Sequence, residues 1–414
     1  MLPVLEVFDC SSGEDVRVGT ARFALRHGKV STTFLYDATY LSAFPGVFAL
    51  DPELPLMTGT LHCSGLPGAF RDSSPDRWGR RLIERERRST SEAGLPLRQL
   101  DEVDYLAGVF DRTREGSLRF REPGGDFLSA SPSIPPLVQL PVLLRAARMA
   151  AADKAGHEQV KELLDAGSGS LGGARPKASV CDGERLLLAK FSHAGDEWDV
   201  MGWEKTALDL ARAAGIETPG ARLVRVGNEA ALLLERFDRE CSRMGGKRIA
   251  YLSGMTALGS SDGESRDYAE LAEAIAGLSK EASSELHDFF RRVTFSVALG
   301  NTDDHLRNWG FLRLRGSWTL SPLFDVNPNP YEGMCRATAI LGETGEGEVA
   351  ALKDLAAYAG LDDADASAVV AEVLGAVARW RTVARKNGCR EREFSLFEPG
   401  FKRREKALKR TFGL

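Results

Sequence analysis

The segment Gly300-Asn301-Thr302-Asp303-Asp304-His305-Leu306-Arg307-Asn308-Trp309, here called the Asp303 loop, follows a predicted helix. Asp303 and Asn308 are five residues apart, and Asp325 lies seventeen residues further on. Transfer of a phosphoryl group from ATP needs a carboxylate that receives the acceptor hydroxyl, followed by an amide and a second carboxylate that hold magnesium ions. The spacing therefore predicts a phosphotransfer site, with Asp303 as the catalytic base and Asn308 and Asp325 as metal ligands.

Two neighbours of Asp303 are open to other interpretations. Asp304 as the base would leave only four residues to Asn308, which favours Asp303. His305 is either a proton carrier or a brace for the loop backbone. The alternative is that the segment is an exposed polar loop closed by an Asx-turn and has no catalytic role.

A glycine-rich segment lies upstream at residues 167–177 and is here called the glycine loop. It contains the pattern Gly167-x-Gly169-x-x-Gly172. Glycines let a backbone come close to phosphates and point N–H groups at them. No Gly-Lys-Ser/Thr ends the loop, and two predicted strands, 177–182 and 185–191, follow it instead of a long helix, which excludes a Walker A loop and a dinucleotide-binding turn. A glycine loop followed by antiparallel strands is typical of a kinase lid.

Further parts of such a site follow in order along the chain. Lys190 ends an apolar strand, where its ammonium must reach solvent or meet an anion. In kinases this lysine binds nucleotide phosphates and pairs with a glutamate of the next helix, here Glu204. Glu235 and Phe237 follow another apolar strand, in a connector whose backbone can bind an adenine edge; a strand end with a salt bridge is the alternative. The order of these parts favours phosphotransfer.

The length of 414 residues is too great for one ordinary core, so several domains or lobes are expected. We predict an N-terminal β-rich module at 1–135, a small α/β lobe with the glycine loop at 140–240 and a helical C-terminal lobe at 241–414. The predicted class is α+β, a two-lobed protein-kinase-like fold with a β-rich N-terminal module and a mainly helical C-terminal lobe. In the first module, strands at 16–26 and 30–36 are predicted to meet at a turn.

Composition agrees with a soluble globular protein, since 43% of the residues are hydrophobic and 27% are charged. The net charge of −5 argues against general coating of nucleic acid. The six cysteines form no Cys-x-x-Cys pair and are expected to be reduced thiols. Neither a signal peptide nor an apolar run long enough to span a bilayer is recognisable, so we expect a cytoplasmic protein with no membrane partner.

The chain resembles the HipA family of bacterial serine/threonine kinases, the toxins of type II toxin–antitoxin modules. The likeness covers most of the chain, including the N-terminal module. The segments that carry it are Pro75-Asp76-Arg77-Trp78-Gly79-Arg80-Arg81-Leu82, Ser170-Leu171-Gly172-Gly173-Ala174-Arg175-Pro176-Lys177, Glu235-Arg236-Phe237-Asp238-Arg239, the Asp303 loop and Ser321-Pro322-Leu323-Phe324-Asp325.

This resemblance implies ATP and magnesium as cofactors, with Asp303 as the base and Asn308 and Asp325 as the metal ligands. It also implies a set of nucleotide contacts in the glycine loop and in both lobes. These are Ser170, Leu171, Gly172, Gly173, Ala174, Lys177, Lys190, Glu235, Phe237, His305, Asn308 and Asp325.

In the family, a serine of the glycine loop is autophosphorylated, and its modification expels the loop and inactivates the enzyme. Ser170 is the positional match, and the neighbouring Ser168 is a second candidate. A phosphoserine adds nearly two negative charges beside a loop built to hold ATP phosphates, so repulsion is expected to displace it.

The resemblance further implies partners. These are a protein substrate, with an aminoacyl-tRNA synthetase as an example whose modification inhibits translation, and a HipB-like helix-turn-helix antitoxin that links the chain to operator DNA. Two alternatives stay open. One is a small-molecule phosphotransferase of the aminoglycoside type, and the other is a catalytically idle DNA-binding corepressor.

Overall fold

The computed structural model describes residues 3–43, 45–90, 98–129, 134–168, 175–227, 229–242 and 246–414. The strands are β1 (Val4–Asp9), β2 (Val16–Arg26), β3 (Lys29–Tyr36), β4 (Thr60–Cys63), β5 (Leu118–Arg121), β6 (Lys177–Asp182), β7 (Arg185–Phe191), β8 (Ala221–Val226), β9 (Glu229–Glu235), β10 (Tyr251–Ser253), β11 (Arg266–Asp267), β12 (Gly310–Leu314), β13 (Ser317–Leu320) and β14 (Thr338–Ala339).

Helices alternate with these strands and dominate the C-terminal part. They are α1 (Ala38–Ser42), α2 (Gly68–Asp72), α3 (Arg77–Thr90), α4 (Glu102–Ala107), α5 (Leu140–Ala151), α6 (His157–Asp165), α7 (Val200–Ala213), α8 (Gly254–Ala257), α9 (Tyr268–Leu278), α10 (Ala282–Leu299), α11 (Glu348–Tyr358), α12 (Asp363–Val377), α13 (Trp380–Lys386) and α14 (Glu391–Phe412). The β-rich N-terminal region and the helical C-terminal part confirm the predicted fold class.

The chain forms two compact units. The first unit contains residues 1–195 and 233–252, and the second unit contains residues 196–232 and 253–414. The predicted division at 1–135, 140–240 and 241–414 therefore stays a prediction. Within the described part of the chain, no helix combines the length and the apolar character that crossing a membrane requires.

The N-terminal sheet of the first unit has the strand order β4-β3-β2-β1-β5, with every neighbouring pair antiparallel. Arg26 pairs with Lys29, and the two residues between them, His27 and Gly28, have φ angles of 51° and 77°. Two consecutive positive φ angles fit the right-handed twist of a two-residue hairpin. The structure thus confirms the predicted turn between the second and third strands.

A separate hairpin of the first unit follows the glycine loop. Strands β6 and β7 are antiparallel, and their register runs from Lys177 opposite Lys190 to Asp182 opposite Arg185. Gly183, at the turn, has a φ of 60°. Both strands have the bounds predicted from the sequence, because Asp-Gly between two apolar runs is a strong turn signal.

The second unit is built around α10, whose inner face buries Phe289, Phe290 and Phe295. This helix packs against α9, α11, α12 and α14. Another part of the same core stacks Trp203 on Phe397, with 3.9 Å between their ring centroids. Buried aromatic side chains of this size contribute a large share of the apolar area removed from water. The core therefore holds α10 rigidly, and the C-terminal end of α10 leads directly into the Asp303 loop.

Candidate active site

The Asp303 loop starts where α10 is forced to stop. Gly300 follows the last residue of α10 with φ 76° and ψ 37°, the left-handed conformation that commonly ends helices. A side chain there would be strained, and a Cβ on Gly300 would lie 2.3 Å from Cζ of Arg404. Glycine at this position therefore lets the chain turn away from the helix within a crowded environment.

The structure brings together the three residues that the spacing singled out. The side-chain Nδ2 of Asn308 donates to the main-chain oxygen of Asp303 at 3.1 Å and to that of Asp325 at 3.5 Å. Asp303 is exposed, whereas Asn308 is buried. Asp325 has a φ of 54°, a conformation uncommon outside glycine but tolerated by aspartate. The side-chain amide of Asn308 thus links the main chain at Asp303, the predicted base, to the main chain at Asp325, the predicted metal ligand.

Asp304 has a different environment from its neighbour Asp303. Its carboxylate is buried and accepts hydrogen bonds from the Tyr268 hydroxyl at 2.5 Å and from Trp309 Nε1 at 3.1 Å. Burial, reinforced by the Asp304 carboxylate, raises the pKa of Tyr268 well above its usual range, so this phenol remains a donor. The carboxylate of Asp304 therefore anchors the loop, which supports the choice of Asp303 as the residue that faces a substrate.

The backbone of the loop is held from several directions. Thr338 Oγ1 donates to the carbonyl of Asp304 at 2.7 Å, and Ala337 N donates to that of Thr302 at 2.8 Å. Asn329 uses both its main-chain N–H, to the Gly300 carbonyl at 3.0 Å, and its Nδ2, to Thr302 Oγ1 at 2.7 Å. These bonds on either side of Asp303 hold its backbone in place.

His305 and Asn327 lie two residues after Asp303 and Asp325, respectively. Nδ1 of His305 and Oδ1 of Asn327 are buried and have no hydrogen-bond partner among the residues that the structure describes. Buried polar atoms generally need a partner. A bound ligand could supply one, so the nucleotide contact implied for His305 stays a prediction. Asn327 is a residue that the sequence reasoning missed, because an asparagine two residues after Asp325 belongs to no recognised spacing.

The residue types at this site fit a magnesium ion. Because Asn308 directs its Nδ2 at two carbonyls, the oxygen of the same amide points the other way. Together with the Asp325 carboxylate it offers the hard oxygen ligands that Mg²⁺ prefers, and Mg²⁺ usually completes its shell with water and substrate phosphates. Among the described residues, no group of three or more His, Cys, Asp or Glu side chains is placed to hold a metal ion.

In the first unit, Lys177 and Lys190 lie side by side at the open end of the β6–β7 hairpin. Both lysines are buried. Nζ of Lys177 lies 2.6 Å from Oδ2 of Asp76, which belongs to the N-terminal module. Burial raises the pKa of Asp76, while the Lys177 ammonium and the Gly79 amide act in the opposite direction. Asp76 was not a predicted site residue, because an ion pair between residues 101 apart leaves no local signal.

The glycine loop lies mostly outside the described residues, which omit Ser170, Leu171, Gly172, Gly173 and Ala174. Ser168 is described, and it is fully buried. Its hydroxyl has no hydrogen-bond partner in the described part of the chain. Phosphorylation of Ser168 would require this segment to leave its place. The prediction of Ser170 or Ser168 as the modified residue is therefore untested.

The predicted connector, residues 235–239, contains one half-exposed charged side chain and three buried ones. Glu235 is half-exposed and accepts from Arg185 NH1 at 2.9 Å, and the ring of Phe237 lies 6.4 Å from that of Tyr251. The other charged residues of this segment are buried, namely Arg236, Asp238 and Arg239. The two arginines hold Asp238 and also donate to main-chain carbonyls of residues 112–116 in the N-terminal module. The connector is thus anchored on that module, and nucleotide contacts of Glu235 and Phe237 stay a prediction.

Glu204, the predicted partner of the strand lysine, lies in α7 of the second unit and is fully buried. A glutamate is almost never fully buried unless it is paired. The pairing of Glu204 with the strand lysine stays a prediction.

Comparison with known proteins places the chain in a family. Residues 169–380, just over half of the chain, match the model of the HipA-like C-terminal domain. A presumed kinase of Haemophilus influenzae is 25% identical over 152 residues. That match spans 33% of this chain and 44% of the relative, which is less than half of the relative's length.

Two solved structures are similar to the chain. The HipA chain of the Shewanella oneidensis MR-1 complex of HipA, HipB and operator DNA has a TM-score of 0.68 and 16% identity, over 99% of this chain and 98% of that chain. At this identity the likeness shows a shared fold. The Helicobacter pylori proinflammatory kinase CtkA has a TM-score of 0.35 and 14% identity, over 56% of this chain and 94% of that chain, which is too distant to support an argument. On the strength of the family model, the chain belongs to the HipA family, whose members share the HipA-like C-terminal domain.

Proposed function

We propose that the chain is an ATP- and magnesium-dependent serine/threonine protein kinase that acts as the toxin of a toxin–antitoxin module. The observation that carries the proposal is the hydrogen bonding of Asn308 to the carbonyls of both Asp303 and Asp325. It supports one site with an exposed carboxylate, an amide oxygen and a second carboxylate, which are the protein groups that phosphotransfer needs.

In the proposed reaction, Asp303 accepts the proton of a serine hydroxyl while the hydroxyl oxygen forms its bond to the γ-phosphorus of ATP. The bond from that phosphorus to the bridging oxygen breaks, and ADP leaves. Exposure of Asp303 supports this role, because a base must reach the proton that it removes. The rigid loop supports it further, because catalysis of this kind depends mainly on positioning and on electrostatic stabilisation.

The remaining residues would hold the nucleotide. Asn308 and Asp325 would hold magnesium, which when bound neutralises charge on the phosphates. Lys190, at the end of β7, would bind the phosphates directly, as the strand lysine of kinases does. His305, Glu235 and the glycine loop would complete the nucleotide site.

Regulation and partners extend the proposal. Autophosphorylation at Ser170 or Ser168 would place a doubly charged group where ATP phosphates bind, and would thus inactivate the enzyme. The solved Shewanella relative is a complex with HipB and operator DNA, which supports a HipB-like antitoxin and operator DNA as partners here. The proposed substrate is a protein of translation such as an aminoacyl-tRNA synthetase, and the proposed location is the cytoplasm.

The test incubates the purified full-length protein with γ-labelled ATP and magnesium, and maps the label by peptide mass spectrometry. We expect label on Ser170 or Ser168 in the wild type and none in Asp303→Asn. Asp354→Asn, which changes an exposed aspartate of α11, is the matched control and should label like the wild type. Unchanged labelling of Asp303→Asn would reject Asp303 as the base.

The same assay separates the two alternatives. Transfer of label to small alcohols, with none to protein, would identify a small-molecule phosphotransferase. A folded protein that transfers nothing but binds operator DNA with its antitoxin would be a corepressor without catalysis.

A further inference from the structure

Two lysines face each other at the start of the hairpin that follows the glycine loop. Lys177 is the first residue of β6, and Lys190 lies directly opposite on β7. Residues directly opposite in an antiparallel pair project from the same face, with their Cβ atoms about 5 Å apart. Like charges in this arrangement repel each other. Both side chains are also buried, which increases the need for a nearby negative charge.

Asp76 supplies that charge from a distant part of the chain. Its Oδ2 lies 2.6 Å from Nζ of Lys177, and the side chains of Asp76 and Lys177 are only 6% and 2% exposed. Its Oδ1 accepts from the main-chain N–H of Gly79 at 2.7 Å, in the first turn of α3. The carboxylate therefore ties the N-terminal end of α3 to the first residue of β6.

The position of this pair gives it a consequence for the nucleotide site. Lys177 is the last residue of the glycine loop (167–177), so whatever fixes Lys177 also fixes the C-terminal end of that loop. The ammonium of Lys177 is directed to Asp76. Asp76 lies outside the matched region 169–380, in a module to which the sequence assigned no catalytic part.

We propose that Asp76 is a positioning residue for nucleotide binding, which holds Lys177 in place and thereby sets both the exit of the glycine loop and the environment of Lys190. This proposal rests on the proposed kinase function. It assigns the N-terminal module a part in holding ATP, and it makes Lys177 a structural link to that module in place of the nucleotide contact that the family resemblance implies.

The test uses the full-length protein and three variants: Asp76→Asn, Lys177→Met and the double variant. Each is measured for its Kd for ADP with magnesium, for the KM and kcat of autophosphorylation with ATP, and for its melting temperature. Glu102→Gln is the matched control, because it breaks the ion pair of Glu102 with Arg80 in the same module, away from β6. The control should bind and react like the wild type.

We expect each single variant to raise the Kd for ADP and the KM for ATP by about tenfold or more, while kcat at saturating ATP stays within about threefold. The double variant should be no worse than either single variant, because one linkage is lost in all three. If Asp76→Asn fails to fold, the double variant decides the question, since removing both charges leaves neither member of this ion pair buried without its partner.

Two results would overturn the proposal. If Asp76→Asn binds ADP as tightly as the wild type or more tightly while Lys177→Met binds it weakly, Lys177 itself contacts the nucleotide. If the variants lose melting temperature or active fraction with unchanged KM and Kd, the pair only stabilises the fold. A wild type that neither binds ADP nor transfers phosphate would instead refute the proposed function, and this inference with it.

Discussion

Two aspartates, one in each unit, have opposite environments. In the first unit, Asp238 is buried, and it accepts from Gly116 N at 2.9 Å, from Arg236 Nε at 2.7 Å and from Arg239 NH1 at 2.7 Å. The two guanidiniums hold the pKa of Asp238 far below its usual range. In the second unit, Asp303 is exposed at the surface of a loop.

In the second unit, the adjacent residues Asp303 and Asp304 show the same contrast between an exposed and a buried carboxylate. Asp304 takes the buried, anchoring role through Tyr268 and Trp309, and Asp303 keeps a carboxylate directed to the surface. Spacing in the sequence thus identifies candidate carboxylates, whereas the donors that surround each one decide whether it is held in the interior or left accessible.

The largest effect is expected for Asp238→Asn. Removing this charge leaves Arg236 and Arg239 buried without their carboxylate, which should lower the free energy of unfolding by about 3–5 kcal/mol. Chemical denaturation measures it. Asp15→Asn is the control, since it breaks a more exposed pair with Arg119 in the same unit and should lose at most about 1 kcal/mol. Equal losses in the two variants would contradict the anchoring role of Asp238.

Tyr268→Phe should have the next largest effect, because it removes the shorter of the two hydrogen bonds to the Asp304 carboxylate. A buried carboxylate that loses one donor should cost about 1.5–3 kcal/mol of unfolding free energy. Autophosphorylation should also fall as the Asp303 loop loosens. Tyr358→Phe, at an exposed tyrosine of α11, should change neither quantity. A Tyr268→Phe protein with wild-type stability would show that the hydrogen bond from Tyr268 to Asp304 contributes little to the stability of the fold.

Glu115→Gln should reveal a pH dependence of the first unit. Burial, reinforced by Asp238, raises the pKa of Glu115 from 4.5 to about 8, so the folded state favours the protonated acid. The stability linked to this group is therefore complete below its unfolded pKa and is lost as the pH rises from about 4.5 to about 8.

Unfolding free energies measured at several pH values test whether stability falls as the pH rises. The Gln variant should lie closest to the wild type at about pH 5 and should clearly exceed it at about pH 8.5, where the wild type has lost the stability linked to this group. Glu14→Gln, at an exposed position of the same unit, should follow the wild type throughout. A Gln variant that is less stable than the wild type at high pH would show that Glu115 is ionised in the folded protein.

The smallest effect is the difference between Gly300→Ala and Gly413→Ala. Both glycines have positive φ, at 76° and 70°, so each substitution should cost about 1 kcal/mol of backbone strain. Only at Gly300 would the new Cβ meet another group, the Arg404 guanidinium, whereas nothing lies within 4 Å at Gly413. Gly300→Ala should therefore lose roughly 1 kcal/mol more, and it alone should reduce phosphotransfer. Equal losses would mean that Arg404 moves aside freely.

Local chemistry allowed much of the fold to be predicted. The turns at His27-Gly28 and Asp182-Gly183 and the strands β6 and β7 follow from residue types a few positions apart. The grouping of Asp303 with Asn308 also follows from short spacing on a loop that a helix presents.

Other features depend on packing between distant segments and had no local signal. The Asp76 and Lys177 pair joins residues 101 apart, and Arg239 reaches a segment more than 120 residues before it. The burial of Asp304 depends on Tyr268 at the start of α9. Chain spacing carries no information about such partners, because only the folded core brings them together.

The different roles of the two neighbouring aspartates are tested by comparing Asp303→Asn and Asp304→Asn in one experiment that measures melting temperature and phosphotransfer from labelled ATP. We expect Asp303→Asn to melt like the wild type while its kcat falls by about 10²–10⁴-fold. Asp304→Asn should melt at a clearly lower temperature, and below that temperature it should keep part of its phosphotransfer activity. The reverse pattern, with a destabilised Asp303→Asn that still transfers phosphate and a stable Asp304→Asn that does not, would contradict the account.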